Sequence, residues 1–416
     1  MMNLRLICLL FLVAYVPAIA QVKNDHWLQE LFESNGTPLL KHILANPDSF
    51  QYQVIYTRID RDKHNQPHFT NFYLNVDRDR YFNPASTVKL PTALAALEKI
   101  NSLKQQGIDR NTVMLTDSSY PGQTSVRKDS SAATGMPSVA QYIKKIFLVS
   151  DNDAYNRLYE FVGQEKLNTL LKAKGYKDVK ITRRFVPMNE EENRHTNAIR
   201  FMKEGQLLYA QPAAYSQYHF DFSKKIFIGK AHYNWQDSLI NQPMDFTTHN
   251  KLPLEDLPQM LRSVLFPKSL PRKKRFDLDQ DDLAFLEHYL SAYPSESRYP
   301  SYDTTEYFDS YTKFFYKAGQ AKPPSYIRIY NKPGWSYGFL TDAGYVKDSL
   351  HGIEFMLSAV IYVNRDGILN DDKYEYKEIG YPFFHDIYQL IYNMEKERKK
   401  KYAPRFESPG WSNTSF

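Results

Sequence analysis

The chain has 416 residues, with 53 Lys and Arg set against 47 Asp and Glu, a formal net charge of +6. Much of the basic excess sits at 268–275 and 396–401, where no helix-turn-helix, finger or RNP pattern accompanies it, so both runs read as solvated surface and nucleic acid is not an expected partner. The one cysteine, Cys8, excludes a disulfide framework or a thiol nucleophile beyond the first twenty residues, and 32 tyrosines suit a carbohydrate groove as well as ordinary packing.

Residues 1–5 form a short basic start, 6–16 an apolar run, and Ala18-Ile19-Ala20 a small-residue cleavage site before Gln21. This pattern reads as a cleavable secretory signal whose apolar core is too short to span a bilayer. Cys8 is not at the cleavage point, so no lipid anchor is expected. The mature protein is predicted to be exported, periplasmic or secreted, without membrane insertion.

From residue 27 to 44 the apolar spacing is helical, 51–59 and 68–76 read as two strands of a hairpin, and 60–65 is the turn. Pro67 stands between His64 and His68, so the two histidines do not share a helical face and a metal pair is not predicted. Tyr81-Phe82-Asn83-Pro84-Ala85-Ser86-Thr87-Val88-Lys89-Leu90-Pro91 then enters a helix predicted to end near Leu103. Ser86 is expected at the helix N-terminus with Lys89 one turn later on the same face. A serine hydroxyl needs a nearby base to become a nucleophile, and an amine held in a dry pocket can be that base. Free amides at a helix N-terminus favour a developing oxyanion. The plain alternative is a capping serine and a solvated lysine.

Residues 112–135 are turn-rich, 139–149 are helical, and Ser150-Asp151-Asn152-Asp153 stops that helix and caps the next, expected over 154–174. Residues 180–197 read as a charged loop, and 197–245 as an irregular, aromatic insertion or lid. Helices are expected at 254–266 and 281–293. Asp277, Asp279 and Asp281 imitate the start of a calcium loop, but Asp282 stands where its glycine belongs and His288 at its closing position. Neither a metal nor a cofactor is predicted. Strands follow at 326–330, 339–346 and 353–363, with a helix at 380–397 and a tail over 401–416.

Two serine-enzyme assemblies compete. Gly334-Trp335-Ser336-Tyr337-Gly338 fits the G-x-S-x-G elbow, with Asp366 and His385 following in order. An elbow needs a helix after its serine, whereas a strand is expected here, so this assembly is set aside. The other takes Ser86/Lys89, then Ser150-Asp151-Asn152, then Lys332-Pro333-Gly334. This ordered set resembles the penicillin-recognising serine enzymes, the class A β-lactamases and low-molecular-weight penicillin-binding proteins. The resemblance covers about 51–396 and extends to Asp342-Ala343-Gly344-Tyr345-Val346.

The resemblance implies an α+β fold: an antiparallel sheet from both chain ends with flanking helices, plus an all-helical lobe from about 86 to 300. It implies Ser86 as acylated nucleophile and Lys89 as base, its pKa lowered by burial and by Lys332. Ser150 would relay a proton to the leaving nitrogen, and Asn152 would bind the substrate amide. Lys332 would hold Ser150 and a substrate carboxylate. The amides of Ser86 and Trp335 would form an oxyanion hole, and Gly334, Trp335 and Ser336 would join Asn152 in binding the substrate. The sequence departs from the pattern twice. Pro333 replaces a hydroxyl residue, for which Ser336 can substitute. Phe185 or Val186 stands where class A enzymes place a glutamate four residues before an asparagine, here Asn189, leaving Glu190, Glu191 or Glu192 as stand-ins. The expected substrate is a β-lactam or a peptidoglycan-derived peptide. The expected function is an exported acyl-transfer hydrolase, the alternatives being a D-alanyl-D-alanine carboxypeptidase or endopeptidase and a catalytically silent cell-wall peptide-binding protein.

Overall fold

The computed structural model describes residues 22–320 and 322–406. The predicted signal segment and positions 407–416 of the predicted tail lie outside the described residues. Five strands form the central sheet in the order Ile327–Asn331, Phe339–Asp348, Ile353–Tyr362, Gln53–Arg61, Pro67–Leu74, all antiparallel. The short Gly334–Ser336 strand pairs with the near end of Phe339–Asp348. The sheet is therefore built from both ends of the chain, as the resemblance implies.

Period-two alternation decides what each face meets. Val54 and Tyr56, Leu340 and Val346, and Phe355, Leu357, Ala359 and Ile361 face one core. That core is closed by the helices His26–Asn35, Pro38–Leu44 and Tyr381–Glu397. Ile55 and Ile59, Phe339, Ala343 and Tyr345, and Met356 and Val360 face the other core, which continues into the helical lobe. There Lys89–Ser102 is buried on nearly every side and packs on Val139–Val149 and Asn152–Val162.

Several elements differ from their sequence expectation for local reasons. The helix expected over 154–174 is two, Asn152–Val162 and Gln164–Ala173, because Gly163 adopts φ 87°. The first helical stretch is broken at Gly36, after which Thr37 caps Pro38–Leu44 by accepting from Leu40 N at 3.1 Å. The charged loop contains the helix Glu190–Arg194, opened by a capping box between Asn189 and Glu192. Asp279 and Asp282 form another capping box for Gln280–Ser291, which gives those acids a structural use.

Residues 197–245 are also more regular than expected. Ile199–Lys203 and Gln206–Gln211 form a hairpin that pairs with Val113–Thr116. Ala231–Tyr233 and Leu239–Ile240 form a second hairpin, joined in parallel to Ile368–Leu369. Among the described residues no helix is long and apolar enough to cross a membrane.

Candidate active site

Ser86 lies in a 3₁₀ turn, Ala85–Val88, and the α-helix proper begins at Lys89. Ser86 is thus just inside the start of the helical segment, as expected, but its first turn is 3₁₀, and the origin of that turn is local. Ala85 is held at φ 44°, a left-handed conformation rare for a residue with a Cβ, and Asn83 Oδ1 supports it by accepting from Ala85 N at 2.8 Å. Ser86 is half-buried, whereas Lys89 is fully buried. Pro91 falls in the first turn of the new helix, where its missing N–H costs nothing.

Ser150 ends its helix in the left-handed region (φ 62°), and Asp151 caps the next by accepting from Ala154 N at 2.8 Å. That sharp exchange of helices turns Ser150 and Asn152 toward Lys89. Lys89 Nζ donates to the Ser150 carbonyl, to Asn152 Oδ1 at 2.7 Å and, at 3.4 Å, to Ser150 Oγ. Lys332, also buried, follows the edge strand Ile327–Asn331 and donates to Ser150 Oγ at 2.9 Å and to the Pro333 carbonyl at 2.7 Å. The Ser150 hydroxyl thus stands within reach of both amines. Gly334 closes the group from the sheet side: a Cβ there would lie 2.7 Å from Pro84 O, 2.8 Å from Ser86 N and 3.0 Å from Thr87 N. Three segments distant in sequence therefore meet at one place, with Trp335 and Ser336 half-buried beside it.

Burial governs the charge here. It lowers Lys89 to about 7, with Asp151 pulling the other way. Lys332 is pushed well below the usual lysine range by burial and then by Lys89. The repulsion between the two buried amines is mutual and disfavours a charge on both at once.

Phe185 closes the pocket at the position expected of a deacylating base. Its ring centroid is 5.2 Å from Lys89 Nζ and 4.7 Å from the Tyr155 ring, and its N–H donates to Asn156 Oδ1 at 2.8 Å. Of the neighbouring acids, Glu190 is exposed and borders a different cavity, and the other two have partners. Glu192 accepts from Asn189 N at 2.6 Å, and Glu191 pairs with His195 and accepts from the Tyr215 hydroxyl.

The elbow alternative has no geometry behind it. Ser336 leads through a tight turn into another strand. Asp366 is exposed, accepting from Ile368 N, and His385 Nδ1 lies 3.0 Å from the Phe315 carbonyl.

Sequence reasoning missed a layer behind Lys332. Lys313 is fully buried, donating to the Leu290 carbonyl at 2.7 Å and to Asn331 Oδ1 at 2.8 Å. Asn331 Nδ2 donates to both oxygens of buried Asp342, at 2.9 and 2.8 Å. Burial raises Asp342 to about 6 and lowers Lys313 to about 7. Lys317 is boxed by the rings of Tyr311, Trp335, Tyr381 and Phe314, at 4.4 to 5.3 Å from its Nζ. The available signal was two lysines inside the aromatic run Lys313-Phe314-Phe315-Tyr316-Lys317 and an aspartate in an apolar strand.

Residues 42–222 match the model of the beta-lactamase enzyme family. None of the curated proteins compared with the chain matches it. Solved structures similar to it include a beta-lactamase from Sphaerobacter thermophilus, 13% identical, covering 85% of this chain and 94% of that one with a TM-score of 0.46. A beta-lactamase from Burkholderia ambifaria is 12% identical, covering 86% and 99% at a TM-score of 0.47. One from Xanthomonas campestris pv. campestris is 14% identical, covering 89% and 100% at 0.45. The family match thus spans residues 42–222, from the hairpin of the central sheet through the Ser86 and Ser150 segments, and stops short of Lys332.

Proposed function

We propose that this protein is an exported active-site serine hydrolase, acylated on Ser86 by a β-lactam or a related amide. The family match supports hydrolase chemistry. The observation that carries the serine mechanism is the Ser150 hydroxyl within reach of two buried amines, 3.4 Å from Lys89 and 2.9 Å from Lys332, beside the turn that holds Ser86.

In this reading neutral Lys89 takes the proton of Ser86 Oγ as the oxygen attacks the substrate carbonyl carbon. The oxyanion accepts from the N–H groups of Ser86 and Trp335, a contribution of about 3 kcal/mol per donor in the transition state. The C–N bond then breaks, and Ser150 passes a proton to the departing nitrogen, drawing on the one held by Lys89. Asn152 and Ser336 bind the substrate's polar groups. A substrate carboxylate beside Lys332 would favour its ammonium form, since an adjacent anion offsets the cost of burying the charge.

Phe185 offers no base to a deacylating water, so the acyl-enzyme is expected to accumulate. Intact-mass spectrometry of the mature protein with benzylpenicillin tests this over time. A stoichiometric adduct that persists for minutes or longer, and is absent in Ser86→Ala, is the expected result. Identical spectra for wild type and variant would overturn the mechanism.

A further inference from the structure

A cavity of about 340 Å³ opens beside the site, between the Arg183–Met188 loop, the Ser336–Tyr337 turn and the tip of the second hairpin. Its lining carries two arginines and no carboxylate side chain. The arginines differ. Arg184 is buried and spent: it pairs with Glu160 and donates to the carbonyls of Glu192 and His195. Arg183 is half-buried and has no acidic partner among the described residues; its Nη1 donates to His249 Nε2 at 2.7 Å.

His249 is held as a neutral acceptor. Burial and Arg183 lower its pKa to about 3, so protonation does not disrupt the contact near neutrality. Its ring packs on Phe246 at 4.6 Å and on Tyr337 at 6.1 Å, and Phe246 meets Tyr337 edge-on at 5.1 Å. The guanidinium is thereby anchored from one side while the cavity lies on another.

Across the mouth stands Trp235, 82% exposed although it lines the cavity. It sits in a turn fixed by Asn234, whose Oδ1 accepts from Gln236 N and Ser238 N, both at 3.0 Å. The hairpin beneath is tied to Ile368–Leu369. A ring held in water on a rigid turn has nothing of its own to pack on. A planar or apolar ligand segment laid beneath it would recover that surface.

We infer that this cavity is a subsite for a carboxylate-bearing arm of the substrate, either the acyl side chain of a β-lactam or an acidic residue of a peptide, gripped by Arg183 and covered by Trp235. A guanidinium is suited to the task because its planar fork matches a carboxylate. The inference takes its location from the acyl-transfer reading, because Ser336 and Asn83 border both the cavity and the Ser86 region.

Two arms test it on the mature protein. In the kinetic arm, acylation by α-carboxybenzylpenicillin is compared with acylation by neutral benzylpenicillin. The rate ratio is expected to favour the carboxylated probe about tenfold, and Arg183→Gln should bring it near one with the neutral probe little changed. In the equilibrium arm, calorimetry compares γ-D-glutamyl-L-lysine bearing a free α-carboxylate with its α-carboxamide. Tighter binding of the acid, lost in Arg183→Gln and partly kept in Arg183→Lys, supports the subsite. Trp235→Ala, exposed and outside the core, should weaken acid and amide alike. Preference in one arm alone identifies the source, β-lactam or peptide. If neither penicillin forms an adduct, the acyl-transfer reading fails and calorimetry still decides the subsite. No carboxylate preference in either arm, or a preference unchanged by Arg183→Gln, overturns the inference.

Discussion

Four lysines are buried around the site, and they divide into two pairs. Lys89 and Lys332 meet at a serine hydroxyl beside a cleft. Lys313 and Lys317 lie behind them, one hydrogen-bonded to Asn331 and the Leu290 carbonyl, the other boxed by four aromatic rings. Burial lowers the pKa in both pairs, and Lys89, Lys313 and Lys317 all arrive at about 7. Desolvation alone therefore does not mark a base. Both pairs meet carbonyl, amide or ring acceptors; what separates them is the Ser150 hydroxyl, a group that can give or take a proton, which the front amines reach.

Exchanging lysine for methionine breaks the comparison most sharply. In Lys89→Met the acylation rate should fall on the order of 10³-fold, read by intact mass under pseudo-first-order conditions, since general-base assistance is lost. Thermal stability should be nearly unchanged or improved, because a desolvated amine is replaced by an apolar chain of similar volume. Lys313→Met should do the reverse, costing about 3 kcal/mol by leaving the buried Leu290 carbonyl and Asn331 Oδ1 without their donor and Asp342 with one cation fewer. Urea unfolding measures it, and acylation by the folded fraction should change little.

The pH dependence separates the pairs more finely. Lys89 serves as a base only when neutral, and its folded pKa is near 7. Acylation should fall about tenfold per unit as pH drops below that value and level off above it. The same amines bind fewer protons folded than unfolded between about 7 and 10.5, so conformational stability should rise with pH through that window. Lys313→Met should flatten this slope without moving the acylation profile.

The smallest expected effect is gained function. Val186 lines the cavity and is 42% exposed, so Val186→Glu can carry a carboxylate without burying it. Release of the acyl-enzyme should quicken about tenfold, followed as decay of the adduct mass. An adduct lifetime equal to that of wild type would show that the missing base is not what slows turnover.

The sheet was legible in the sequence because period-two alternation at 51–59 and the apolar runs at 339–346 and 353–363 leave little choice of face. Ser86, Lys89, Ser150 and Lys332 could be named because they fall in short motifs with fixed order. The 3₁₀ turn at Ala85–Val88 was not legible, since it depends on Asn83 holding a strained alanine. Nor was the break at Gly163, where one glycine competes with an otherwise continuous helical pattern. The Lys313–Asn331–Asp342 layer escaped notice because its members gain meaning only when two strands and a turn bring them together. Arg183 and Trp235 lie 52 positions apart and share a cavity only through the hairpin's attachment to Ile368–Leu369.

The contact at Gly334 has a mechanical consequence. With carbonyl and amide atoms 2.7 to 3.0 Å from where a methyl would stand, no side chain fits between the serine turn and the strand, and any residue but glycine would push them apart. The gap between their amides is set by hard atomic radii and behaves as a mould instead of a jaw. A ligand entering it has to conform to a shape already cast, and the energy that closing would have consumed is left for chemistry.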